Sequence, residues 1–290
     1  MHREIVMGAL AGNELLKLDR AAWAWEFLRR YLPFRSIART PTRLRRFGKT
    51  GIRIIEAPVL EQVHERWGLH HIEDANCSAA TANVFWHAEA DPRVIEVKAR
   101  FVPAGDDEVI NIATLPAEVT VLKLDSGQEH VLIRADGRSV QLSVIEGTML
   151  EGPVYLHYRL SGFKRVTQTT LAMQRLIAFR KLGRFPAGLF KPDGRAKRWV
   201  KELQALDLQS TGASRDEMAQ ALLGVGIAET DGDWVLSRLR RITREANHIA
   251  EVGYFGILSG GSTKIRENPF GWPREGKSQP HRLLLGEQRP

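Results

Sequence analysis

A single cysteine, Cys77, rules out a disulfide within the chain and leaves nothing from which a paired-cysteine zinc finger could be built. No apolar run reaches the roughly eighteen residues a membrane helix needs, and the N-terminus lacks the basic, apolar, small-residue order of a secretory leader. The expected location is therefore the cytoplasm, without membrane contact. A phosphate loop is missing too, because Gly48-Lys49-Thr50 is preceded by Arg43 where such a loop requires glycine. Acid is absent from one whole stretch: residues 29–53 carry nine arginines or lysines and no carboxylate.

The net charge is +8, and its distribution says more than its sum. Residues 163–250 add sixteen basic against nine acidic side chains, so the remainder of the chain is acidic. Positive charge gathered into one connector and one helical half suits a polyanion partner. A solvated basic connector accounts equally well for the first stretch, and a mobile arginine arm around Arg43, Arg45, Arg46 and Lys49 is the alternative.

The region 211–249 reads as two consecutive helices. Ser214 is followed three residues on by Glu217, the reciprocal capping pair, and Met218, Ala219, Leu222 and Leu223 supply a buried stripe that Gly224 and Gly226 end. Thr230, Asp231 and Asp233 are N-cap types for a second helix from about Trp234 to Ile249. At ~100° per residue, Val235, Leu239, Ile242, Ala246 and Ile249 share one arc, while Ser237, Arg240, Arg241, Arg244 and His248 share the opposite one. Arginine binds phosphate or a guanine edge with two donors at once, which a lysine does not.

Elsewhere the pattern gives an α+β fold: a short N-terminal helix, an antiparallel β-rich middle, and a C-terminal helical bundle with a helix-turn-helix variant. Asp19 caps the first helix, with Trp23, Phe27 and Tyr31 on one side and Trp25, Leu28 and Leu32 on another. That helix should be clasped between surfaces, and its aromatics are candidates for covering the sheet. From 83 to 160, NVFWHAEA, RVIEVKARF, EVINIA, EVTVLKL, EHVLIRA and RSVQLSVI alternate as strands of a mostly antiparallel meander, with Ser126-Gly127 and Asp136-Gly137 among the turns. In LAMQRLIAFRKL the core side is expected to hold Leu171, Ile177 or Ala178, and Leu182, with Arg175, Arg180 and Lys181 outward. A further helix from about Arg195 to Leu208 buries Trp199, Leu203 and Leu206. The expected division is 9–40 helical, 41–82 basic connector, 83–160 β-rich, 161–258 DNA-binding, and 259–290 a disordered tail rich in Gly, Pro and Ser.

Residues about 150–258 resemble a bacterial DNA-binding domain family found in RovC, a type VI secretion activator, and in excision activators of integrative and conjugative elements. LEGPVYLHYRL, KLGRFP, GRAKRWVKELQALD, GASRDEMAQALLG, SRLRRI and the Gly253-Tyr254 pair carry the match, in that order. AAWAWEFLRR resembles a small domain that precedes such domains in proteobacterial regulators. The resemblance implies a transcriptional activator with a variant helix-turn-helix. Phe255 stands where the family usually has a polar or charged residue, a substitution that would suit a protein contact.

Chemistry has weaker claims on this chain. His64, His70, His71, Asp74 and Cys77 are all of ligand type, but their spacing fits no closed zinc pattern, and adjacent His70 and His71 would face different ways. No catalytic residue, metal or cofactor is expected. The sequence points instead to promoter double-stranded DNA as partner, contacted by Arg240, Arg241 and Arg244, flanked by Ser237, Arg238 and His248, with Arg215 or Lys197 on the backbone. RNA polymerase or another regulator, and a second copy of the chain, are further candidate partners; an adaptor or anti-activator role is the alternative.

Overall fold

Asp19 opens the first long helix as its sequence requires, its carboxylate accepting from the Ala22 amide at 3.0 Å in the computed structural model. The structure describes residues 12–38, 44–47, 51–102, 108–226 and 232–265. Along the chain come α1 (Gly12–Leu15), α2 (Arg20–Leu28), α3 (Leu32–Ala38), β1 (Leu44–Phe47), β2 (Arg53–Ala57), α4 (Glu61–Trp67), β3 (Ile95–Phe101), β4 (Glu118–Leu124), β5 (Glu129–Ala135), β6 (Arg138–Glu146) and β7 (Val154–Arg159). Helices then take over: α5 (Phe163–Leu182), α6 (Ala196–Ser210), α7 (Arg215–Leu223), α8 (Gly232–His248), a π-helical segment (Ile249–Gly253) and α9 (Tyr254–Leu258). The α+β class read from the sequence is the class observed.

One seven-stranded sheet runs in the order β1-β2-β4-β5-β6-β3-β7. The meander holds only for β4, β5 and β6; β2 lies parallel to β4 and β3 parallel to β6. The turns between these strands use the residues foreseen for them, with Asp136 and Gly137 at φ 52° and 69° in the two-residue turn that pairs Ala135 with Arg138.

Two expected strands are not strands. EVINIA becomes a 3-10 turn, Ile112–Thr114, closed by the Asn111 side chain accepting from the Ala113 amide. NVFWHAEA stays irregular because a side chain completes its pairing: the Gln141 amide accepts from the Trp86 N–H at 3.0 Å and donates to its carbonyl at 2.7 Å, leaving only an isolated bridge to Leu69. Conversely, β2 and β1 arise in the expected connector, which places Arg45 and Arg46 in a strand paired with β2; Arg43 and Lys49 lie outside the described residues.

Alternate residues of the central strands face two cores. Val121, Val131, Ile133, Leu142 and Val144 pack under Ala172, Leu176 and Phe179 of α5, with Phe185 and Phe190 beside them. The buried face of α5 is therefore turned about one residue from the one expected: Ile177 and Leu182 are 46% and 56% exposed, and Arg175 is buried, donating to the Leu189 carbonyl and lying 4.0 Å over the Phe190 ring. An Arg side chain tolerates this site because its stem is apolar and its planar head stacks on a ring.

The aromatics of α2 cover helices rather than the sheet. Trp23 meets Trp199 of α6 at 5.3 Å, and Trp25 meets Phe34, which in turn meets Trp67. Leu32, expected on the same buried side, is 70% exposed because α2 ends at Leu28 and the chain turns before α3. Beneath these rings lies an ion-pair cluster. Glu26, fully buried, accepts from Arg29 at 2.7 Å, from Arg30 and from the Ala79 amide, while Arg30 continues to Asp207 of α6 at 2.7 Å. Burial pushes the Glu26 carboxyl up, but the two guanidiniums and the amide outweigh it and hold it below its ordinary value.

The stretch from Ser259 to Ile265, expected to be disordered, packs back across the helices, and residues beyond Ile265 lie outside the described ones. Thr263 is buried, and the Gly261 carbonyl accepts from Arg195 at 2.7 Å. Gly253 and Gly256 permit this return: a Cβ on either would come within 2.7 Å of the Thr263 carbonyl or 2.0 Å of the Ser262 carbonyl.

Candidate nucleic-acid interface

The capping box forms as written in the sequence, with Glu217 N donating to Ser214 Oγ at 3.2 Å and Ser214 N donating to Glu217 Oε2 at 2.7 Å. α7 then buries Met218, Ala219 and Leu222 and stops at Gly224, at φ 76°. α8 follows from Gly232. Thr230 and Asp231 lie outside the described residues, and Asp233 falls in the first turn of α8, near the positive end of the helix dipole.

α8 has the two faces its periodicity demands. Val235, Leu239 and Ala246 are buried against α6 and α7, and Ile242 is half-buried. Ser237, Arg238, Arg240, Arg241 and Arg244 are all exposed. Among the described residues the four guanidiniums make no ion pair or hydrogen bond, so their charge faces solvent. The acid nearest them on the helix, Glu245, is engaged elsewhere: Arg198 of α6 donates to it at 2.8 Å and to Glu202 at 2.7 Å. Burial raises the Glu202 carboxyl, and Arg198 partly offsets this.

The remaining candidates sit differently. His248 is half-buried, its Nε2 2.9 Å from the Thr263 carbonyl, so it ties the returning tail to α8. Arg215 opens α7 and Lys197 lies in the first turn of α6; both are exposed. Sequence reasoning overlooked two neighbours. Trp234, 56% exposed, stands three residues before Ser237 and seven before Arg241, a spacing that puts it on the cationic face. Asn247, also exposed, donates to Gln209 at 3.3 Å and to the Thr243 carbonyl at 2.9 Å.

Phe255 does not offer the protein contact its apolar nature suggested. It is buried, stacked on Tyr254 with ring centroids 4.3 Å apart. Tyr254 itself is fully buried and donates to the Trp67 carbonyl at 3.3 Å, and this burial raises its hydroxyl well above the usual tyrosine range. Of the ligand-type residues, His70 and His71 do diverge: His70 stacks on His130 at 3.6 Å, and His71 lies 5.5 Å from Phe85. Asp74 and Cys77 close a turn through a bond from the Cys77 amide to the Asp74 carbonyl.

A three-helix support that turns its apolar stripe inward and leaves outward arginines that are unpaired among the described residues has the form a nucleic-acid-binding domain needs. The comparisons agree with that class. Residues 159–258 match the RovC_DNA-bd family, described as the DNA-binding domain of a T6SS transcription factor, and residues 10–71 match the proteobacterial transcriptional regulator-like domain. No curated protein matches the chain. Both families point to a transcriptional regulator. Among the described residues, no helix is long and apolar enough to cross a membrane.

The two matched regions share one core. Trp23 and Trp199, Arg30 and Asp207, and Trp67 and Tyr254 each join a residue of the first region to one of the second. Of the sheet, β1 and β2 fall within the first matched region, and β3 to β6 lie between the two matches.

Proposed function

We propose that this protein is a cytoplasmic transcriptional activator that binds promoter double-stranded DNA with α8 in the major groove. The supporting observation is the row Arg238, Arg240, Arg241 and Arg244, exposed and without carboxylate partners among the described residues. Phosphate contacts dominate the affinity, and Arg240, Arg241 and Arg244 are its centre. Ser237 and Arg238 flank them, Arg215 and Lys197 reach the backbone, and His248 acts from the side while holding Thr263. The described family suggests type VI secretion genes as targets, and the wider resemblance suggests excision or transfer functions of a mobile element.

Mobility-shift titration on the DNA upstream of the protein's own gene tests this reading. Binding should weaken steeply with salt, and replacing Arg241 and Arg244 together by alanine should lower the log–log salt slope by about 1.8, each phosphate left unneutralised accounting for about 0.9. A folded double variant with the parent's affinity and slope would overturn the placement.

A second reading, an adaptor or anti-activator that grips another regulator or RNA polymerase, has its own support. β7 is an edge strand, and Phe101, Tyr158, Leu160 and Phe163 on and beside β3 and β7 are 40–98% exposed. An adaptor leaves the upstream DNA unshifted while co-purifying with a protein partner, and self-association through the same edge gives a dimer in sedimentation.

A further inference from the structure

Four imidazoles stand in a row where α4, the irregular stretch before β3, and β5 meet. His64 and His87 have ring centroids 3.6 Å apart, His87 and His70 are 4.8 Å apart, and His70 and His130 are 3.6 Å apart. His70 Nε2 and both ring nitrogens of His130 are buried without a hydrogen-bond partner among the described residues. Such nitrogens cost stability, and aliphatic side chains would fill the space without that penalty. At the outer end of the row, Glu89 is exposed, its carboxylate 3.8 Å from His64 Nε2.

We propose that His64, His87 and Glu89 bind a divalent transition-metal ion of the zinc class, with water completing the coordination. One ligand atom from each of the three lies within 4.8 Å of the others. Tetrahedral bonds of 2.0–2.1 Å place ligand atoms about 3.4 Å apart, so side-chain rotations that draw a separation of up to 4.8 Å in by about 1.4 Å complete the set. Two imidazoles and one carboxylate with an open fourth position form a donor set characteristic of zinc.

The backbone already fixes the ligands. His87 N donates to the Gly68 carbonyl at 2.8 Å and Ala90 N donates to the His87 carbonyl at 2.9 Å, while the contact of Glu89 N with His87 Nδ1 at 3.2 Å opens when the imidazole ligates the ion. His64 lies one turn before Gly68, whose amide donates to the His64 carbonyl at 2.7 Å. A bound ion thus joins α4 to the 87–89 turn. That joint packs against α9, since a Cβ on Gly68 would meet Phe255 at 2.8 Å and the Trp67 carbonyl accepts from Tyr254. The ion braces α9, the continuation of α8, and its binding stands apart from any DNA contact.

Calorimetry on the full chain, stripped with chelator and titrated with zinc chloride, should show one equivalent bound. Free zinc at a hundredfold excess over Kd should raise the melting temperature by roughly 4–5 °C. His64→Gln should weaken binding at least tenfold. Glu89→Gln, at an exposed position where folding is not at risk, should do the same. Absence of both heat and a melting shift in the parent overturns the site, as does zinc binding by both variants with the parent's affinity.

Discussion

Two groups of arginines, one just past the end of α2 and one on α8, both counted as surface charge, end in opposite places. Arg29 and Arg30 stand three and four residues after Glu26 and disappear into the core as its partners, Arg30 reaching on to Asp207. Arg240, Arg241 and Arg244 have no acid three or four residues before them, and Glu245, four after Arg241, is held by Arg198 instead. The lesson is that a count of basic residues does not locate a binding surface. Where the carboxylates fall at helical spacing, and which of them another helix claims, decides whether an arginine builds the fold or faces a ligand.

The strongest way to break this contrast is to remove the buried anion. Glu26→Gln leaves Arg29 without its carboxylate and Arg30 with Asp207 alone, and should cost about 3–5 kcal/mol in urea or thermal unfolding. The loss should itself depend on pH. A carboxyl whose folded value is depressed stabilises above its unfolded value, here 4.5, and that contribution drains away as pH falls through the folded one. The gap between parent and variant is therefore constant above pH ~5.5 and narrows below 4.5. A gap independent of pH would show that the carboxylate's charge is not what matters there.

Removing exposed arginines should do the reverse. The Arg241→Ala, Arg244→Ala variant should unfold within about 0.5 kcal/mol of the parent for each substitution, because neither side chain has a partner to lose among the described residues, while its DNA affinity and salt slope fall. A large stability loss would place these side chains in the fold. The mildest change sharpens the comparison: Glu245→Gln removes an anion beside the ridge and releases one of the two partners of Arg198. DNA binding should strengthen about two- to fivefold at low ionic strength, and the gain should vanish in high salt, where exposed charges are screened.

Local signals were legible where the deciding atoms lie close in sequence. The Ser214–Glu217 box, the Asp19 cap, the Asp136-Gly137 turn and the two faces of α8 each involve residues within a turn or two of one another. The reading failed where a distant group intervened. NVFWHAEA has a strand's alternation, yet Gln141 occupies its hydrogen bonds; α5 has enough apolar residues for two faces, and Phe190 with the Leu189 carbonyl selects the one that buries Arg175. Trp234 lies within reach of the helical spacing that places Ser237 and Arg241 on one face. The row of histidines was not within reach, for His130 comes from β5 and His87 from an irregular stretch, and only the fold brings them beside His64 and His70.

The sequence by itself determined the helices and turns, the inward and outward faces of α8, and the concentration of positive charge, because these follow from backbone sterics and the 3.6-residue period. Tertiary structure alone decided which charges were cancelled, which face of α5 was buried, and that the first and last helices share a core, because an ion pair or an apolar contact depends on distance in space between groups the chain holds far apart.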